Sequence, residues 1–216
     1  MSTRTLAEAA AEAADCTKCR LAETRTQVVF GVGSPSADLL FIGEAPGVHE
    51  DRQGVPFVGA AGQLLTRMLE GIGLTREEVY IANILKCRPP GNRDPQSDEI
   101  DTCTPWLVEQ ISLIQPIVIV TLGNFATKFV LQTPQGITRM RGSVYRWHDR
   151  KVIPTFHPAA ILHGGGEKSR QFADLQEDFE LIKRTLSAVP APLPVVSLAE
   201  HAQVTVPEPD DQLELF

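Results

Sequence analysis

Three polar residues whose side chains could do chemistry are placed alike in this sequence. A carboxylate can orient water or stabilise a positive charge, an amide offers a hydrogen-bond donor beside an acceptor, and an imidazole can donate or accept a proton near neutral pH. Each type also has an ordinary use, in capping, in backbone hydrogen bonding or in packing. The three stand at or just beyond the ends of short apolar runs: Glu44 after 39–43, Asn83 in 79–84 and His157 after 152–156.

The elements that position these residues can be predicted from the apolar pattern. Apolar runs of strand length occur at 39–42, 79–84, 117–122 and 152–156, and the segments between them repeat apolar residues at helical spacing. Such alternation predicts an α/β fold with a parallel sheet between helical layers. Because the carboxyl ends of parallel strands converge on one crevice, we expect the three side chains to share a site.

The chain has four cysteines, a Cys-x-x-Cys pair at Cys16 and Cys19 and two singles at Cys87 and Cys103. Stable disulfides are rare in cytoplasmic proteins, so the choice is between a shared metal centre, which we favour, and four unrelated buried thiols. Four thiolates suit either tetrahedral zinc or a [4Fe–4S] cluster. The spacing does not separate these two.

An aromatic residue and a basic segment are further candidates. Phe57 lies in an irregular segment, where it either plugs the core or lines a site. The segment 138–151 holds five basic residues, Arg139 and Arg141 among them, against the single acid Asp149. A solvated hairpin would explain them, but such a group is also what a face that contacts phosphates needs.

The composition is that of an ordinary globular protein. The 216 residues are 43% hydrophobic and 22% charged, with a formal net charge of −7. The apolar runs are far shorter than a membrane span, and the first residues lack the basic and apolar pattern of a signal peptide. We therefore expect a cytoplasmic protein that does not enter a membrane, and a monomer.

The character of the sequence changes near residue 188. All Lys and Arg residues lie at or before Arg184, whereas 188–216 is acidic and rich in proline. This division predicts a folded domain over 1–187 and a disordered tail over 188–216. The acidic tail carries most of the net charge, so a basic face on the domain remains possible. The last five residues are not typical of a tail, because large apolar side chains at an exposed terminus make sense mainly if something binds them.

Five features together are highly specific. They are Gly43-Glu44-Ala45-Pro46-Gly47, the strand end at Asn83, the loop Lys86-Cys87-Arg88-Pro89-Pro90, His157-Pro158-Ala159-Ala160 and the order of the four cysteines. Together they resemble family 4 uracil-DNA glycosylases, the iron–sulfur members of their superfamily, over about residues 10–187. The resemblance implies a three-layer α/β/α sandwich with a central four-stranded parallel sheet. It also implies hydrolysis of the N-glycosidic bond of deoxyuridine in DNA, which starts base excision repair.

The same resemblance implies roles for the candidate residues. Gly43, Phe57 and Asn83 would bind the flipped uracil, Phe57 by stacking on its face and Asn83 through its edge. Glu44 would sit beside the attacking water, and His157 would face uracil O2. The cysteines would hold a structural [4Fe–4S] cluster, with these ligands: Cys16, Cys19, Cys87 and Cys103.

The DNA would be held outside the base pocket. Ile161 and Leu162, predicted to lie in a loop after the histidine motif, are candidates for the wedge that fills the vacated base stack. Two positions depart from the family pattern: Ala159 stands where Ser is common, and His163 where Arg is common. A phosphate contact by the serine hydroxyl is therefore absent at Ala159, and His163 puts one contact with the DNA backbone in doubt.

The terminal pentapeptide Gln212-Leu213-Glu214-Leu215-Phe216 resembles the motif that binds the bacterial sliding clamp, whose pattern is Gln-Leu-(Ser/Asp)-Leu-Phe. The side chains of Gln212, Leu213, Leu215 and Phe216 would make that contact. A short apolar motif on a flexible tether can dock in a groove without constraining the folded body.

Two alternatives to a turnover enzyme remain at this stage. A related branch crosslinks covalently to uracil-DNA, but it carries Gln at the position of Ala45 and a basic insertion that the segment 139–142 lacks. The second alternative is a non-catalytic iron–sulfur protein that binds DNA. Release of free uracil would distinguish the turnover enzyme from both.

Overall fold

A computed structural model describes residues 4–188 and contains a six-stranded mixed sheet with helices on both faces. The spatial order of the strands is β1-β3-β2-β4-β6-β5. Their bounds are β1 (Val32–Gly33), β2 (Leu39–Gly43), β3 (Tyr80–Asn83), β4 (Val118–Leu122), β5 (Tyr145–Trp147) and β6 (Arg150–Thr155).

The middle of the sheet matches the prediction from sequence. Strands β3, β2, β4 and β6 run parallel, and every residue of β2, β3 and β4 is buried. Strands of this kind, covered on both faces, read as continuous apolar runs, and for that reason the sequence reveals them.

The predicted strand count was too low, because β1 and β5 extend the sheet to six strands. Both are antiparallel edge strands, of two and three residues. Neither is fully buried, so neither produces an apolar run. Pairing with a neighbouring strand, which no local pattern records, holds them in place.

Within residues 4–188, eight α-helices connect and cover the strands. Their bounds are α1 (Leu6–Ala14), α2 (Val48–Gln53), α3 (Ala60–Gly71), α4 (Ser97–Ile114), α5 (Gly123–Leu131), α6 (Ile137–Met140), α7 (Pro158–His163) and α8 (Arg170–Ser187).

The layers follow from the alternation of side chains along β2. Leu39 and Phe41 point to one face, where they pack with residues of α3 and α8. Leu40 and Ile42 point to the other face, where they pack with residues of α4 and α5. A third apolar cluster joins α1 to α4 around two of the cysteines. The α/β/α sandwich is therefore confirmed.

The last helix within residues 4–188 is α8, which ends at Ser187. The division into a folded domain and a tail stays a prediction. Most of the predicted tail, including the terminal pentapeptide, lies outside the described residues. Within residues 4–188, no helix is both long and apolar enough to cross a membrane.

Candidate active site

Three strand ends deliver the candidate residues to one cavity of about 470 Å³. Glu44 follows β2, Asn83 is the last residue of β3, and His157 lies two residues after the end of β6. The cavity also contains Phe57, from the segment before α3. The structure thus brings together the carboxylate, the amide, the imidazole and the aromatic ring that the sequence singled out.

Gly43 lets the side chains of Asn83 and Phe57 crowd against the end of β2. A Cβ atom at this position would lie 2.3 Å from Asn83 Oδ1 and 2.7 Å from Phe57 Cζ, and both distances are below any tolerable contact. The neighbouring strand fixes the geometry further, because Gly43 and Asn83 are register partners. Glycine is therefore required here for close approach and not for an unusual backbone angle.

The amide of Asn83 is buried and has an unused acceptor. The residue is 2% exposed, and its Oδ1 has no hydrogen-bond partner within the described part of the chain. Leaving such an acceptor unpaired costs on the order of 1–3 kcal/mol, so native proteins rarely do so without a reason. A ligand that donates a hydrogen bond into the cavity would supply the missing partner.

Phe57 is held in place by contacts that the sequence did not reveal. Its backbone has a left-handed conformation, with φ of 55°, and a Cβ on Gly62 would lie 1.7 Å from its carbonyl oxygen. The carboxylate of Glu50 accepts hydrogen bonds from the next two amides, those of Val58 at 2.9 Å and Gly59 at 3.0 Å. Glu50 also lines the cavity. The sequence analysis did not single it out, because no pattern near it indicates this contact.

His157 is presented as a neutral hydrogen-bond donor. Its Nδ1 accepts a hydrogen bond from the Ala159 amide at 3.2 Å, at the start of α7, so in the neutral ring the proton is on Nε2. Burial lowers the pKa of His157 to about 4, against a smaller opposing effect of the Glu50 carboxylate. The ring centroid lies 5.6 Å from that of Phe57. At neutral pH the imidazole can therefore donate without carrying charge.

Glu44 is half-buried, and burial raises the pKa of its carboxyl, with a further contribution from the negative charge of Asp94. Its carbonyl oxygen accepts a hydrogen bond from the Leu85 amide at 3.0 Å, which ties the loop after β2 to the segment after β3. A carboxylate in such a position can hold a water molecule or face a developing positive charge.

The four cysteines line a second, smaller cavity. Cys16 and Cys19 follow α1, Cys103 lies on α4, and Cys87 lies in the loop between β3 and α4. The cavity also contains hydrogen-bond donors, since the Arg25 guanidinium lies 3.6 Å from Cys87 Sγ and the backbone amide of Lys86 donates to Cys103 Sγ at 3.2 Å. The four cysteines therefore lie around one cavity, which sequence spacing alone did not show.

Comparison with known proteins adds to this geometry. Residues 30–180 match the model of the uracil DNA glycosylase superfamily. The chain belongs to the uracil-DNA glycosylase superfamily. It is 46% identical to the type-4 uracil-DNA glycosylase of Sulfurisphaera tokodaii, over 80% of each chain. It is 48% identical to that of Archaeoglobus fulgidus, over 79% of this chain and 89% of the relative, and 44% identical to that of Saccharolobus solfataricus, over 84% and 87%. The resemblance to family 4 is confirmed.

Two of the residues predicted to contact DNA, Arg141 and Ile161, make their contacts inside the protein. The guanidinium of Arg141 pairs with the buried carboxylate of Asp178, with Nε–Oδ2 and Nη2–Oδ1 distances of 3.0 and 2.8 Å. Ile161 is fully buried in the core and belongs to α7, not to a loop. The loop predicted for Ile161 was therefore wrong, whereas the DNA contacts of both residues stay predictions. A pattern of residue types does not reveal which side chains a later helix covers.

Two other predicted contacts remain available. Arg139 is exposed, and Leu162, on the outer side of α7, is 37% exposed. Arg93, which sequence reasoning left unassigned, lines the active-site cavity. Its guanidinium is held by two hydrogen bonds, at 2.9 and 2.6 Å, to the fully buried carboxylate of Glu99.

The thiol cavity suits a metal group by its donors. Burial raises the pKa of the Cys87 thiol to about 12 and also raises that of Cys103. Buried thiols of this kind stay protonated near neutral pH unless a metal replaces the protons. The donors from Arg25 and Lys86 would stabilise the anionic sulfur that results. In the arrangement of residues 4–188, no three Cys, His, Asp or Glu side chains already surround a single ion.

Proposed function

We propose that this protein is a uracil-DNA glycosylase that hydrolyses the N-glycosidic bond of deoxyuridine in DNA and so starts base excision repair. The observation that carries the proposal is the unpaired, buried Oδ1 of Asn83 in one cavity with Phe57 and His157. Uracil offers what that cavity lacks, because its N3–H can donate to the oxygen while its O4 accepts from the amide nitrogen.

The amide also explains the choice of base. Cytosine presents the reverse pattern of donor and acceptor at these two positions, and would leave buried groups unpaired on both sides. Sites that read hydrogen bonds in this way discriminate by large factors. A base inside the duplex cannot reach this cavity, so the nucleotide must first be flipped out, and the Phe57 ring would then stack on its face.

Bond cleavage leaves negative charge on uracil O2 and positive character on the sugar. The neutral His157 can donate from Nε2 to O2, and a fixed donor of this kind contributes about 3–4 kcal/mol in other enzymes. The Glu44 carboxylate, when ionised, stabilises the positive sugar and orients the attacking water. None of these roles requires a metal ion at the reacting atoms.

A [4Fe–4S] cluster in the thiol cavity is part of the proposal. Cys16, Cys19, Cys87 and Cys103 would hold it, and when bound it would crosslink α1, α4 and the loop after β3. Iron and sulfide analysis of the purified protein, with its visible absorbance, tests this directly. Zinc in place of iron would contradict it.

The decisive test of function is the release of free uracil from a single-uracil oligonucleotide. We expect turnover by the wild type, a rate lower by about 100- to 1,000-fold in His157→Ala, and no change in His148→Ala, whose histidine is exposed and outside the cavity. A protein that stays crosslinked to the DNA would be the covalent relative. Binding without uracil release or crosslinking would indicate a DNA-binding protein without catalysis.

Docking of residues 212–216 on a sliding clamp is a separate proposal, supported by the match of the pentapeptide to the clamp-binding pattern. Deleting these five residues should abolish clamp binding and leave uracil release from short oligonucleotides unchanged. A version with Leu215 and Phe216 both changed to Ala should behave like the deletion. Unchanged affinity in either variant would refute the proposal. The cytoplasmic location and the monomeric state stay predictions.

A further inference from the structure

Lys86 is a buried lysine that the proposed chemistry does not use. It is 1% exposed, and its Nζ donates to the backbone carbonyl oxygen of Asn83 at 2.7 Å and to Oε1 of Gln110 at 2.5 Å. Both acceptors are neutral oxygens. The amino group also lies 5.7 Å from the centre of the Phe30 ring. It thus sits directly behind the residue that reads the base.

Gln110 is fixed in the orientation that Lys86 needs. Its Nε2 donates to the Phe30 carbonyl at 2.8 Å and to the Tyr80 hydroxyl at 3.3 Å, so its Oε1 is turned toward the amino group. Gln110 is itself fully buried on α4. A chain of hydrogen bonds therefore runs from Gln110 on α4, through Lys86, to the backbone carbonyl of Asn83.

The backbone of the same segment joins the two cavities. The amides of Ile84 and Leu85 donate to the carbonyls of Gly43 and Glu44, both at 3.0 Å. One residue further along, the Lys86 amide donates to Cys103 Sγ at 3.2 Å. The segment that follows β3 is thus bonded to the catalytic loop on one side and to the thiol cavity on the other.

Energetics argue that this lysine is retained for its position. Burying an amino group between neutral oxygens carries a desolvation cost that hydrogen bonds offset only in part, and an apolar residue of similar size would often stabilise the fold equally well. Base reading by an amide, in contrast, depends on placement to within about 0.5 Å. The bond to the Asn83 carbonyl restrains that placement.

We propose that Lys86 is a positioning residue for uracil recognition: by holding the Asn83 carbonyl from behind, with Gln110 as its support, it sets the amide of Asn83 at the distance that reads the base. This inference rests on the proposed function, since it assumes that the amide binds uracil. It predicts that Lys86 affects recognition and rate without touching the substrate.

The test uses Lys86→Met, which keeps most of the length of the side chain and removes the donors, in the full-length protein with its metal content measured. We expect affinity for free uracil, measured by calorimetry, to fall about 10-fold, and the single-turnover excision rate to fall about 100-fold. Thr127→Val is the control, because it removes another buried side-chain hydrogen bond, the 2.9 Å contact with Thr121. A purely structural role for Lys86 would lower only the melting temperature, as this control should.

A second variant keeps the test decisive if Lys86→Met does not fold. Gln110→Leu leaves the Lys86 bond to Asn83 possible but removes its support, so we expect the same changes in smaller measure, about 5-fold in rate. Unchanged uracil affinity and rate in Lys86→Met, or in Gln110→Leu if the first variant is unfolded, would overturn the inference. Absence of uracil release by the wild type would instead refute the proposed function.

Discussion

Two buried polar clusters, one around Asp178 and one around Asn83, differ in whether their polar groups are paired. The carboxylate of Asp178 accepts from Arg141 and from the Thr155 hydroxyl at 2.6 Å, and Arg141 also stacks over Phe156. In the active-site cavity, Asn83 Oδ1 has no partner within residues 4–188. The first cluster is complete as it stands, whereas the second lacks a donor that a ligand can provide.

The difference teaches which buried polar groups belong to the fold and which belong to the substrate. In the Asp178 cluster, bonds within the protein offset the desolvation cost of the buried groups, so removing one member should lower the stability of the fold. At Asn83 that cost is offset only when a ligand binds, so removing the amide should lower activity. Each prediction below tests one side of this contrast.

The largest expected effect is that of Asn83→Ala on activity. We expect kcat/KM for uracil excision to fall by about 1,000-fold or more, because both hydrogen bonds to the base are lost. The free energy of unfolding should change by less than about 1 kcal/mol, since the side-chain oxygen makes no bond in the fold. Kinetics on a uracil oligonucleotide and urea denaturation check the two halves. A strong loss of stability would place Asn83 with the structural groups.

Asp178→Ala should show the opposite behaviour. Removing the carboxylate leaves the half-buried Arg141 guanidinium and the Thr155 hydroxyl without their partner, so we expect the free energy of unfolding to fall by about 3–5 kcal/mol. The excision rate of the protein that remains folded should fall less than about 10-fold. A fully stable variant would show that the pairing does not support the fold.

The salt dependence of DNA binding separates the two arginines that sequence placed together. Arg139→Ala should weaken binding and reduce the slope of log K against log[salt] by about one ion. Arg141→Ala should leave the slope unchanged, because its guanidinium is already committed to Asp178. Equal slopes for the wild type and Arg139→Ala would remove Arg139 from the DNA-binding face.

The smallest expected effect concerns pH. A raised pKa means that Glu44 becomes ionised only at higher pH than an ordinary glutamate, so the acid limb of the kcat/KM profile should lie above the usual carboxyl range. Asp94→Asn removes the lesser of the two causes, so the limb should move to lower pH while burial keeps part of the shift. His157, with its pKa near 4, stays neutral across this range. Movement to higher pH would contradict the assignment.

Sequence was sufficient for the parts of the molecule that leave a local pattern. The four parallel strands are continuous apolar runs, and Glu44, Asn83 and His157 follow three of them, so their convergence could be expected from topology alone. A shared metal centre could be proposed from the number of cysteines and from the ligand chemistry of thiols. These predictions needed no knowledge of which helix packs on which face.

The remainder depends on long-range packing. Arg141 and Ile161 looked accessible because nothing near them in the sequence shows that α8 and the core cover them. Glu50 and Lys86 were missed for the converse reason, since a glutamate on a short helix and a lysine beside a cysteine indicate no function until their partners are known. The two edge strands exist only through pairing with the sheet.

A crystal structure of the protein soaked with uracil tests the central claim most directly. The account predicts the base in the cavity at the strand ends, with N3–H bonded to Asn83 Oδ1, O2 facing His157 Nε2 and the Phe57 ring against its face. Uracil bound with the Asn83 oxygen still unpaired, or bound elsewhere on the protein, would contradict it.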